Sequence, residues 1–175
     1  MPGITAGTVE LGEEFKSSRG RSKLASRLAE HPFMIGLDPQ FVKLISRGAK
    51  ERNYDRGETL FLAGEPADTF YLVVFGAVSL EFAIREERRS SIQTVVSGEV
   101  VGWSWMTPPY RWTSDARALS ATRVIVLDAA NIRRVCDARP ADGYRLMLRL
   151  TDVIANRLDN ARSLLAEQYD RPPVR

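Results

Sequence analysis

One cysteine and one histidine stand in a chain of 175 residues, and that scarcity excludes a good deal. Cys136 has no partner for an intramolecular disulfide, so burial must hold the fold. With His31 as the only imidazole, the usual zinc ligand sets cannot be assembled, and a histidine-based triad has one candidate, beside Pro32 in an expected turn. His31 is therefore read as structural, and Cys136, in an amphipathic helical stretch, as a small buried apolar residue. No run approaches the roughly 18 consecutive apolar residues of a membrane span. The first residues, with Glu10, Glu13 and Glu14, lack the apolar stretch of a secretory leader, so the expected address is cytoplasmic, away from membranes. Net charge is small as well, at +3. The bases gather near the start (Lys16, Arg19, Arg21, Lys23, Arg27) and along the C-terminal part (Arg139, Arg145, Arg149, Arg157, Arg162, Arg171). Interleaved with acids, the second group reads as a solvated face more readily than as a phosphate track.

What is present is periodic. Residues 1–21 are rich in Gly, Ser, Thr and Glu with few periodic apolar positions, and read as a flexible basic arm. Leu24 and Leu28 at helical spacing predict a short helix over Ser22–Glu30, ended by His31-Pro32. Asp38 reads as an N-cap with Pro39 at the first helical position, opening a helix through Phe41, Leu44 and Ile45. After Arg52 the period becomes strand-like, with β-prone runs at Thr59–Leu62, Phe70–Val74, Val78–Phe82, Ile92–Val96, Ala116–Leu119 and Val124–Leu127. Turn signals separate several of these, at Arg56-Gly57, Gly64-Glu65-Pro66, Phe75-Gly76 and Ser97-Gly98. Many short strands with close turns predict a mainly β fold, an antiparallel jelly-roll-like β-roll with N-terminal helices and a C-terminal helix. The roll with its leading helices is placed at 22–138, the final helical part at 139–170 and a tail at 171–175. Asp128 is expected to cap a short helix through Ile132 and Val135. A longer helix follows, from about Ala141 to Tyr169. On it Met147, Ile154 and Ala161 fall seven apart, with Thr151, Leu158 and Leu165 between them, the seam of a coiled coil. Its early half is expected to pack on the roll and its later half on a second copy, so a homodimer is expected.

This order of elements resembles the cyclic-nucleotide-binding domain of the catabolite-activator and Fnr-like regulators. The resemblance rests on His31-Pro32-Phe33 with Gly36-Leu37-Asp38-Pro39, on Arg56-Gly57-Glu58-Thr59-Leu60-Phe61, on Gly64 through Leu72, and on the glycine turn Phe75-Gly76-Ala77-Val78. It covers about residues 28–165. It implies a nucleotide cassette at a short helix between two strands, where backbone amides receive the phosphate. A glutamate after a glycine would hold the ribose, and an arginine before the next strand would pair with the phosphate. Here the matching stretch is Gly98–Met106 followed by Pro108–Ser114. Gly102 matches the glycine, but Trp103 stands where the glutamate belongs and Trp112 where the arginine belongs. Arg111 lies one residue early, and Glu99 is three residues too early to replace the acid.

The candidate ligand residues are Gly102, Trp103, Ser104, Arg111, Trp112 and Thr113. All three tryptophans of the chain lie in this window, at 103, 105 and 112. Rings burying roughly 150–250 Å² each could line a site for a flatter ligand, with Arg111 as its anion or cation–π partner, or could plug the space. The resemblance therefore implies a regulatory sensor of a cyclic nucleotide or another small anionic ligand, with altered or lost cAMP specificity. The alternative is a protein-interaction or scaffold subunit with a plugged pocket and a protein partner. The DNA-binding members of that family carry a helix-turn-helix after the long helix, and no such DNA-binding domain is expected in the residues that follow it here. Catalysis is not expected. There is no paired-carboxylate cleft, nucleophile elbow or phosphate-binding loop of the GxxxxGK type, and the single histidine rules out a cupin-like metal site.

Overall fold

In the computed structural model, which describes residues 24–85 and 88–169, the chain runs α1 (24–30), α2 (Pro39–Ile45), β1 (Lys50–Tyr54), β2 (Thr59–Phe61), β3 (Thr69–Phe75) and β4 (Ala77–Arg85). There follow β5 (Arg88–Val96), β6 (Val100–Val101), a 3-10 turn (Ser104–Met106), β7 (Asp115–Ala118), β8 (Thr122–Asp128), α3 (Ala129–Ala138) and α4 (Pro140–Tyr169). The expected arm over 1–21 and tail over 171–175 lie outside the described residues. The strands form two antiparallel four-stranded sheets, β1-β8-β3-β6 and β2-β7-β4-β5, which is the expected β-roll.

The middle of β3, Phe70-Tyr71-Leu72-Val73, is buried at every position. Alternate side chains of a strand point to opposite faces, so an unbroken buried run means a covering layer on both sides. Tyr71 faces the second sheet, its ring 5.6 Å from that of Phe61 on β2. Phe70 faces the helical side, 5.5 Å from Phe33 and 5.6 Å from Trp105. Leu28, Phe41, Ile45, Ile132, Leu146 and Leu150 complete that layer, all at or near full burial.

The helix ends obey the expected capping. Asp38 accepts the Phe41 N–H at 2.8 Å with Pro39 just inside the helix, and Asp128 accepts the Asn131 N–H at 2.6 Å. Asn131 in turn donates to the last carbonyls of α2, at Leu44 and Ile45, tying α3 to α2.

Two strands were not foreseen. Lys50-Glu51-Arg52-Asn53-Tyr54 has no apolar alternation and is mostly exposed, yet it pairs residue for residue with β8 as an edge strand. β6 is only two residues long and exists through its pairing with Tyr71 and Leu72.

Candidate ligand-binding cassette

The stretch between β6 and β7 is held on two sides. Toward the β2–β3 loop, Gly64 N–H donates to Trp112 O at 2.8 Å, Trp112 N–H to Glu65 O at 3.0 Å, and Ala67 N–H to Tyr110 O at 2.8 Å. Toward the helices, Arg133 on α3 donates to Trp105 O at 2.8 Å and lies over the Tyr110 ring at 4.6 Å.

The three indoles have different fates. Trp105, on the 3-10 turn, is buried in the core beside Phe70. Trp103, at the start of that turn, is half-buried. Trp112 turns inward, 4% exposed, and stacks on Phe61 with centroids 4.0 Å apart and planes 17° apart, with Tyr71 6.3 Å away. It also presses on Gly102. A Cβ built there would meet Cζ3 of Trp112 at 2.5 Å and Cη2 at 2.7 Å, and the backbone has φ +82°. Only glycine fits that contact without displacing the ring.

Of the six expected ligand residues, the structure thus brings Gly102 and Trp112 into contact. Ser104 is buried and Trp103 half-buried, whereas Arg111 and Thr113 are exposed. Arg111 points to the β2–β3 loop, donating to Gly64 O at 2.6 Å. Glu99 lies in the β5–β6 turn, accepting the Val96 N–H at 2.7 Å. Cys136 is half-buried, and burial, with Asp137 adding to it, pushes its thiol up to about 11.

Arg157 departs from the solvated face expected of the C-terminal bases. This arginine of α4 is half-buried and donates to Val100 O, its one hydrogen bond among the described residues. Desolvation pulls its affinity for the proton down, partly offset by the charge of Glu99. Around it lies a cleft of about 170 Å³ between α4 and the β5–β6 turn, lined in part by Gln93, Glu99, Asn156 and Asn160. No local pattern distinguishes Arg157 from the other arginines of α4; only the docking of the helix on the turn does.

Residues 51–139 match the family model of the cyclic nucleotide-binding domain, which is half of the chain. The chain belongs to the cyclic nucleotide-binding domain family. It is similar to the CRP-like cAMP-activated global transcriptional regulator of Mycobacterium tuberculosis, 24% identical over 140 residues, covering 80% of this chain and 61% of that protein. The chain thus spans less than two thirds of that relative's length. A cyclic nucleotide-binding domain from Methylobacillus flagellatus has the same fold, with TM-score 0.72, 18% identity and coverage of 87% and 88% of the two chains. So has the Thermus thermophilus catabolite activator protein, with TM-score 0.61, 23% identity and coverage of 79% and 63%.

The C-terminal seam can be placed as well. Leu146 and Leu150 are buried on the core and Met147 and Val153 pack partly against it. Ile154 is half-buried, while Thr151, Leu158 and Ala161 are exposed, and the side chain of Leu165 lies outside the described residues. Tyr144 and Leu148, 65% and 46% exposed, extend the apolar surface of α4 beyond the residues the heptad reading marked. Among the described residues no group of three or more His, Cys, Asp or Glu could hold a metal, and no helix is long and apolar enough to cross a membrane.

Proposed function

We propose that this is a non-catalytic regulatory domain that has lost the ordinary cAMP response and acts as a homodimer through α4. The observation that carries this reading is the Trp112 stack. Where the family arginine would meet a phosphate, an indole lies buried on Phe61 and against Gly102. A buried stacked ring supplies apolar area in place of charge, and a phosphate brought there would lose its water with no cation to receive it. Arg111 does not replace the lost base, because its guanidinium is directed at Gly64 O. The exposed apolar side chains of α4, Tyr144, Leu148 and Leu158, support the second half of the reading.

Calorimetric titration with cAMP, followed in parallel by tryptophan fluorescence, tests it. The natural chain should give no saturable heat. A Trp103→Glu/Trp112→Arg variant, which restores the acid and the base, should gain binding. Micromolar binding of cAMP by the natural chain would sink the proposal.

One observation favours a sensor of a different ligand. Guanidinium groups withdrawn from water are normally paired directly with an anion, whereas half-buried Arg157 donates to a carbonyl and feels the charge of Glu99 without an ion pair to it among the described residues. Its cleft shares Gln93, Glu99 and Asn160 with an outer one of about 530 Å³ that adds Ser91, Thr94 and Ser163, a lining suited to a small polar anion. Binding of such an anion, abolished by Arg157→Met and untouched by Arg111→Ala, would favour this second reading.

A further inference from the structure

His31 occupies a joint where three parts of the molecule meet. The ring is 4% exposed. Its Nε2 lies 3.2 Å from Val73 O on β3, while its Nδ1 accepts the Phe33 N–H at 3.3 Å. These two bonds require one tautomer of the neutral imidazole, with the proton on Nε2. Val73 O also accepts the Gly98 N–H at 2.8 Å, and Val73 N–H donates to Glu99 O at 2.9 Å, so His31 is bonded to the residue that fixes the β5–β6 turn. Pro32 rests on that turn; a Cβ at Gly98 would come within 3.3 Å of its Cγ. Phe33 O accepts from Arg149 of α4 at 2.7 Å. The turn runs straight on into Val100, Val101 and the cassette glycine. One ring thus links the N-terminal turn, the approach to the cassette and the long helix.

We propose that His31 is an acid-sensitive latch. A second proton must go on Nδ1, where it faces the Phe33 N–H donor; the Phe33 bond is lost and a charge is created in a buried site. The charged groups around the joint are Arg27 and Glu30 on α1, Glu99 on the β5–β6 turn and Arg149 on α4. Arg27 is paired with Glu51 at 2.6 Å, Glu99 accepts the Val96 N–H, and Arg149 is held by Phe33 O, while Glu30 and Arg27 line a shallow cleft with His31 and Gly98. Desolvation dominates, and it pulls the His31 pKa below its ordinary 6.5 against the Val73 bond. The sign follows. The unfolded chain takes the proton first, so stability is full above about 6.5, falls as pH drops below that value, and levels off under the folded-state pKa. Within the fold, the same protonation releases Phe33 and loosens the turn and α4 together.

Because the chain has one histidine, its ring signals in a proton NMR titration of the full chain are unambiguous. They should titrate with a midpoint below 6.5, and the Phe33, Gly98 and Glu99 amides should shift with the same midpoint. His31→Gln can still donate to Val73 O, and should abolish the coordinated shifts. A His31 midpoint at or above 6.5, or turn amides that stay still while the ring titrates, would overturn the latch. So would a His31→Gln chain with an unchanged acid transition.

Discussion

Gly102 and Gly57 share a left-handed backbone, at φ +82° and +90°, yet alanine should affect them differently. At Gly57 nothing lies within 4 Å of a new Cβ, so only the backbone strain of about 1–2 kcal/mol applies. At Gly102 the Trp112 ring must move as well, adding about 1–3 kcal/mol of overpacking. Urea denaturation of the two variants measures the difference; equal losses would mean that Trp112 does not bear on Gly102. At this scale the sequence was informative about composition and uninformative about direction. Three tryptophans in one short window were visible at once. That Trp112 turns in to Phe61 while Arg111 turns out to Gly64 follows from pairing with a loop more than forty residues away, which no local spacing encodes.

Helix ends were legible because caps are local. Asp38-Pro39 and Asp128 each sit within three residues of the amide they satisfy. Asp38 has a second role that the sequence did not signal, an ion pair with Arg139 at 3.0 Å that reaches from the start of α2 to the junction of α3 and α4. Asp38→Ala should cost about 0.5–2 kcal/mol in thermal or urea unfolding, mostly from the lost cap, because a half-exposed ion pair contributes little. Asp38→Asn, which can still cap, should recover most of it; if it does not, the ion pair is the larger contribution. Edge strand β1 escaped the reading for the opposite reason. Its charged residues carry no alternating pattern, and β8 alone makes the segment a strand.

The long helix connects single elements to the assembled molecule. Its buried contacts with its own core end near Leu150 and Val153, and Leu158, 50% exposed, lies beyond them. Leu158→Asp should convert a dimer to a monomer in light scattering and remove any dependence of the melting temperature on protein concentration. A natural chain that is already monomeric at high concentration would refute dimerisation through α4. The sequence by itself determined the period of each main element, the caps that start α2 and α3, the glycine turns and the family skeleton, because these depend on neighbours along the chain. Only the tertiary structure decided that Trp112 turns inward onto Phe61 and Gly102, that Arg157 docks half-buried beside the β5–β6 turn, and that His31 joins that turn to the N-terminal segment. Each of those depends on groups brought together from distant parts of the chain, where burial and hydrogen-bond geometry set the chemistry.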